Sequence, residues 1–439
     1  MGSEMCIRDR ICIILFSTIK FKINPFYSLL ISALIAGIGF GFDITKSINL
    51  ILEGFTNILI GIGPLILAGS ILGIFLEKTG TTKKMVNVFV EMLGTKNSPI
   101  SLNMIGFIIS IPVFCDAAFI LLSSVIKEVS KKTGYKLIIL SICLATGLFS
   151  AHVFVPPTPG PIAAAEIIDA PIGLLLIVGL FTGIIVSIMG YLWTRVSLKK
   201  YYNIPIIKSE EKSLDVSKNK FLIFTPILVP IVLITVYSFV ESPYYNLQNT
   251  LLTDLIITLG KPEIAILIGS FLSLFYIQKK QVNQLYNWIG IAVKNSFNII
   301  LITGAGGAFG FILRSSNFIE LFNTNQINGV EGIIIAFIMS AVIKTVQGSS
   351  TVSIITTAAF IAPLLTSFGI TTDIGKVLTI IAIGSGAMTV SHVNDSYFWV
   401  VSKYSDLELK NALRYFTIAT LIQGLVGLSL SITLYILLT

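Results

Sequence analysis

The sequence predicts an all-α polytopic membrane protein built from two inverted-topology repeats, each with scaffold helices, a re-entrant hairpin and a broken helix. Three observations predict it. Of 439 residues, 54% are hydrophobic and 12% charged, with mean hydropathy +0.90, whereas soluble domains carry about 25% charged residues. The apolar stretches are long and continuous, as over 173–193, which favours helices over the alternating runs of about ten residues that make a membrane barrel. The only two histidines, His152 and His392, lie 240 residues apart, and each interrupts an apolar stretch with polar, helix-breaking sequence. Broken helices in matching positions of two halves point to a transporter's binding site, because backbone freed inside a bilayer must line a cavity or be buried in protein.

The first element is anomalous. Residues 1–10 fit neither a signal peptide nor a myristoylation motif, and resemble translated adapter sequence. The expectation for 1–19 is an artefactual N-terminus followed by the stump of a truncated first transmembrane helix. The rest is threaded by its basic loops, which collect on the cytoplasmic side. Arg195, Lys199, Lys200, Lys208, Lys212, Lys218 and Lys220 fall in one polar stretch, so 195–220 is read as a cytoplasmic linker between repeat 1 (20–194) and repeat 2 (221–439). Loops carrying Lys78, Lys83, Lys84 and Lys96, and then Lys127, Lys131, Lys132 and Lys136, are both assigned inside. The 100–126 segment between them is too short to cross twice at 1.5 Å per residue, so it is read as a re-entrant hairpin with its tip at Ile111 to Asp116.

A broken helix over 137–168 follows, its proline run 156–161 read as a non-helical, extended bend. A closing helix over 171–193 completes the repeat. Repeat 2 gives the same order: scaffold spans at 221–240, 263–278 and 288–313, a hairpin over 332–368, a broken helix over 377–402 and a closing helix over 412–438. Residue similarity supports duplication independently of charge. Ala68-Gly69 with Gly73 is matched at an offset of 237 by Ala305-Gly306 with Gly310, small residues suited to close helix packing.

Several function classes are excluded. Basic residues sit singly or in short clusters between apolar spans, so the net charge of +8 reads as topology rather than nucleic-acid binding. Cys6, Cys12, Cys115 and Cys143 show no paired spacing, which argues against a disulfide framework or a zinc site. No metalloprotease, nucleotide-loop or nucleophile-and-base pattern occurs, so neither enzyme nor cofactor is expected.

The candidate chemistry lies at the breaks. Gln347, Gly348, Ser349, Ser350 and Thr351 concentrate hydroxyls at a point where a helix N-terminus would hold an anion, with Lys344 as an intramembrane cation just before it. Asp116 and Asp395 are carboxylates placed in breaks, where a membrane-embedded acid is a natural proton carrier. His152 and His392 are rival proton carriers and substrate contacts, and Thr158, Ser391 and Asn394 complete the candidate substrate-binding set.

The strings His152 with Pro156-Pro157-Thr158-Pro159-Gly160-Pro161, Gln347-Gly348-Ser349-Ser350-Thr351-Val352 and Ser391-His392-Val393-Asn394-Asp395 resemble the signature segments of the gluconate permease family of bacterial inner-membrane symporters. The resemblance covers residues 20 to the C-terminus. It implies an inverted-repeat fold like that of the ion transporter superfamily, usually a homodimer in the bilayer. It also implies proton symport of small hydroxylated carboxylates such as gluconate, related sugar acids, glycerate or D-serine. Three positions depart from many members: aspartate for glutamate at Asp116, threonine for a second histidine at Thr158, and lysine for arginine at Lys344. A lysine lacks the bidentate grip of an arginine. The expectation is a secondary active transporter that imports such a carboxylate with protons, with Asp116 or Asp395 carrying the proton. Sodium coupling is an alternative that Asn394, Asp395 and exposed carbonyls leave open, and a passive anion channel is another.

Overall fold

Helix dominates the chain because few of its residues can sit in a bilayer with backbone groups unpaired. A computed structural model describes residues 25–199, 220–240, 251–316, 328–393 and 395–439, and shows no strand among them. The 1–19 segment lies outside the described residues, as do 200–219 of the 195–220 linker, whose first residues, through Ser197, continue a helix.

In the first half, α1 (Pro25–Gly39) and α2 (Ile44–Lys78) precede a short amphipathic helix, α3 (Thr81–Leu93). The basic interval read as a loop thus contains a helix, with Lys83 and Lys84 on an exposed side. Next come α4 (Ser98–Ser110) and α5 (Cys115–Thr133), separated by a tight turn that Ser110 closes by donating to the Val113 carbonyl at 3.2 Å. Then α6 (Leu137–Phe154), α7 (Pro159–Ile168) and α8 (Ile172–Ser197) complete the half. The proline run corrects the sequence reading. Only 155–158 are non-helical, while Pro159 and Pro161 fall in the first turn of α7, where a missing N–H costs no intrahelical bond.

The second half holds α9 (Thr225–Val240), α10 (Leu251–Gly260), α11 (Pro262–Ser273) and α12 (Leu285–Ser315). A 74° bend separates α10 from the span that begins at Pro262, a break the hydropathy pattern did not reveal. Next are α13 (Gly329–Gln347) and α14 (Ser350–Ile361), then α15 (Asp373–Met388) and α16 (Ser396–Tyr404). The closing helix α17 (Leu409–Leu438) contains a π-helical turn at Ala412–Thr417.

From the helix pairs α4–α5 and α13–α14 onward the two halves share one order of elements, and much of the packing matches. The long helices α2 and α12 lie against each other; α4 packs on α6 as α13 packs on α15; α8 packs on α17. The hairpin arms exchange partners between halves, α5 resting on α16 and α14 on α7. Asp169, after α7, and Asp406, after α16, both take positive φ, 58° and 52°. They stand at the same 237-residue offset as Ala68 and Ala305. Each accepts from a lysine of the other half: Lys376 Nζ to Asp169 Oδ2 at 3.2 Å, Lys127 Nζ to Asp406 Oδ2 at 2.9 Å.

Burial sorts the helices into core and periphery. In an 18-residue apolar window within 137–168, 94% of residues are buried, against 22% in that within 409–438, so α6 and α7 form the centre while α17 turns much of its surface outward. Polar knots fix the centre. Asn103 donates to the Cys143 carbonyl and to Thr146 and accepts from Ser187, joining α4, α6 and α8. Gln423 of α17 donates to the Thr146 and Val186 carbonyls and to Ser150. At Gly147 the Asn103 carbonyl occupies the space any Cβ would need. In the second half Ser340 donates to the Ile383 carbonyl at 2.7 Å and Ser353 to the Ser340 carbonyl at 2.6 Å, tying α13 to α15 and α14 to α13.

Candidate functional site

Three helix N-termini converge on one cavity of about 230 Å³. They belong to α5, α14 and α16, the second arms of both hairpins and the second piece of the second broken helix. Each N-terminus leaves N–H groups without intrahelical acceptors, and together they make the cavity positive in its fixed dipoles.

The local sequence explains each tip. At the second hairpin Gly348 takes φ 74°, a left-handed conformation that ends α13 and that glycine adopts without a steric penalty. Ser349 then caps α14 by accepting from the Val352 N–H at 3.4 Å. Ser350 and Thr351 follow at the first two helical positions and line the cavity, so their N–H groups lack intrahelical acceptors. At the first hairpin Phe114 precedes α5 without a side-chain cap, and Asp116 sits in the first turn. One carboxylate oxygen of Asp116, Oδ1, is buried with no hydrogen-bond partner, and the Ser396 side chain bonds to the group.

At the second break Asp395 caps α16, accepting from the Tyr397 N–H at 3.0 Å through Oδ1. Its Oδ2 accepts from Ser391 at 2.5 Å and pairs with Lys344 Nζ at 2.7 Å. Lys344 also donates to the Gly348 carbonyl at 3.3 Å and lies 5.6 Å from the centre of the Phe149 ring. The Lys344 and Asp395 side chains are 1% and 4% exposed. His152 stacks on Phe149 and meets Phe114 edge-on, and its Nδ1 is buried without a partner.

Of the residues singled out in the sequence, Asp116, His152, Gly348, Ser349, Ser350, Thr351 and Asp395 line this cavity. Lys344 stands behind Asp395 rather than on the cavity wall. Gln347 ends α13 with its Oε1 buried and unpartnered, outside the lining. Ser391 acts through Asp395. Thr158 is turned away, its hydroxyl given to the Val155 carbonyl at 2.5 Å, and His392 is half-buried outside the lining. Asn394 lies outside the described residues.

Sequence reasoning missed Cys115, Ser396 and Tyr397, which line the cavity. Their adjacency to the breaks was the available signal. Ile299 and Ile302 of α12 also line it, and nothing in their apolar surroundings could have marked them. Among the described residues no three His, Cys, Asp or Glu side chains are grouped to hold a metal ion.

The sequence profile described as GntP family permease matches residues 5–438. The D-serine transporter DsdX of Escherichia coli (strain K12) is 29% identical over 436 residues, 95% of each chain. The gluconate permease of Pseudomonas aeruginosa is 26% identical over 420 residues, covering 93% of this chain and 92% of that protein. Among solved structures, Neisseria gonorrhoeae MtrF, of a class of antimetabolite efflux pumps, superposes with a TM-score of 0.62 at 12% identity over 94% of each chain, a likeness of fold.

Proposed function

Since the chain belongs to the GntP permease family, we propose that it is a carrier of the bacterial inner membrane that imports a small hydroxylated carboxylate, of the sugar-acid or D-serine kind, together with a proton. One observation carries the reading: the hydroxyl-rich N-terminus of α14 and the carboxylate of Asp116, which no cation pairs and whose Oδ1 has no hydrogen-bond partner, face the same cavity. The first suits an anion. The second repels one. With Lys344 matched to Asp395, Asp116 has no cation of its own, and two carboxylates in a cavity enclosed by protein interact more strongly than in bulk water. Protonation of Asp116 removes the conflict, so anion and proton enter together. A half-filled site, with one and not the other, is disfavoured for reorientation, and that is the condition for coupled rather than leaky movement. In alternating access the two halves would rock oppositely about this cavity, as expected of inverted repeats.

The test is uptake of radiolabelled D-gluconate and D-serine into proteoliposomes, in sodium-free buffer, with the outside acidified. Accumulation above the external concentration that a protonophore abolishes is the expected result. Accumulation that appears only on adding sodium replaces the proton with sodium, and equilibration without accumulation makes the protein a channel.

A further inference from the structure

Lysine in a carboxylate-binding cavity invites the assumption that it holds the substrate. The contacts around Lys344 argue otherwise. Its Nζ is engaged by Asp395 at 2.7 Å and the Gly348 carbonyl at 3.3 Å, on a side chain 1% exposed. Asp395 is equally committed, with Oδ1 on the Tyr397 N–H and Oδ2 shared by Ser391 and Lys344. A substrate carboxylate reaching Lys344 would have to evict Asp395, leaving a bare charge in low dielectric and disturbing the cap of α16. By contrast, the N-terminus of α14 opens into the cavity, and the buried, unpartnered Nδ1 of His152, in the same lining, is a second polar group awaiting a ligand.

We propose that Lys344 and Asp395 are a self-neutralised positioning pair that sets the tip of the second hairpin against the second break, and that the substrate carboxylate is held by the N–H groups of Ser350 and Thr351, not by Lys344. The pair joins the end of α13 to the start of α16 across the tip at Gly348 and Ser349. Its register decides where α14 begins relative to Asp116. The groups facing Asp116 are Cys115 beside it, His152 of α6, Ser396 and Tyr397 of α16, and the pair itself. With the pair's charges cancelling, Asp116 is the one carboxylate of the lining left without a cation to take up the proton. This rests on the carrier reading above.

The physics supplies the test. Removing one member of a buried ion pair strands the other, whereas replacing both by neutral groups of similar volume is often neutral. Lys344→Met, Asp395→Asn and the double variant are compared in two assays. In the first, each single substitution lowers the melting temperature of the purified protein by about 5 °C or more, and the double variant regains most of it. Additive losses would overturn the pairing. In the second, D-gluconate uptake falls about 50-fold in each single variant. The double variant recovers to within about fivefold of the unsubstituted protein, with KM unchanged and accumulation still abolished by a protonophore. A double variant that melts normally but shows a KM raised about tenfold or more, or no transport, makes Lys344 a substrate ligand and overturns the proposal. Loss of protonophore sensitivity in a transporting double variant returns the proton to Asp395. If the unsubstituted protein moves neither D-gluconate nor D-serine, the carrier reading fails, and the melting cycle still judges the pair.

Discussion

The two broken helices occupy matching places in the duplicated order, yet they have opposite character. The first break, 155–158, carries Pro156 and Pro157 and packs into the scaffold, with the Pro157 carbonyl near Gly69 and the neighbouring Pro112 carbonyl over Gly73. The spaces around it hold about 10 Å³ each and are lined mainly by apolar residues such as Leu72, Ile111 and Ile231. The second break, between α15 and α16, is polar and cross-tied: Ser391 accepts from Thr417 at its carbonyl and donates its N–H to Thr420 Oγ1, both of α17, and Asp395 is held by Ser391 and Lys344. Val390 there takes φ 55°, a costly conformation for a β-branched residue that the surrounding bonds must enforce. Of two breaks in matching places, one is thus a packed seat and the other organises charge. From the first half the cavity draws the hairpin tip at Asp116 and the ring of His152, not the proline bend.

The largest effect tests the charge side of this contrast. Asp116→Asn fixes the cavity in its protonated charge state, so accumulation driven by a proton gradient should fall about 100-fold or more while counterflow exchange of labelled D-gluconate persists. Intact accumulation in that variant would move the coupling role elsewhere. The next tests the seat. A Cβ at Gly73 would lie 2.6 Å from the Pro112 carbonyl, so Gly73→Val should destabilise the protein by about 1–3 kcal/mol, as overpacking does. The melting temperature of purified protein reads that loss, and an unchanged value would mean the first hairpin is not seated on α2.

Much of this was legible in the sequence, for reasons that differ by element. The turns that end α4 and α13 could be inferred because Pro112 and Asp116 interrupt one apolar run and Gln347 to Thr351 put polar groups inside another. The extent of the first break was misjudged because proline is read as a helix breaker, while at Pro159 it starts a helix. The pairing of Lys344 with Asp395 was illegible because it depends on tertiary approach, and each residue alone reads as a site group. The relation of Asp169 to Asp406 was legible in principle, since their spacing repeats that of Ala68 and Ala305. Only the structure gives it meaning, through the matching positive φ and the lysines that reach each aspartate from the other half.

The smaller effects separate residues that look alike in sequence. His152 lines the cavity with Nδ1 unpartnered, whereas His392 lies outside the lining. If His152 bonds a substrate hydroxyl, His152→Ala should raise KM by about 5–10-fold, the worth of one hydrogen bond. His392→Ala should leave KM within about twofold. Thr158 should matter least. Its hydroxyl is already bonded to the Val155 carbonyl within its own turn, so Thr158→Ala removes a local bond from the rigid seat and nothing from the cavity. KM and maximal uptake should both stay within about twofold of the unsubstituted protein. A Thr158→Ala variant with a tenfold higher KM would mean that the first break opens to the substrate at another stage of the cycle, and the division between a seat and a charged break would then hold for one conformation only.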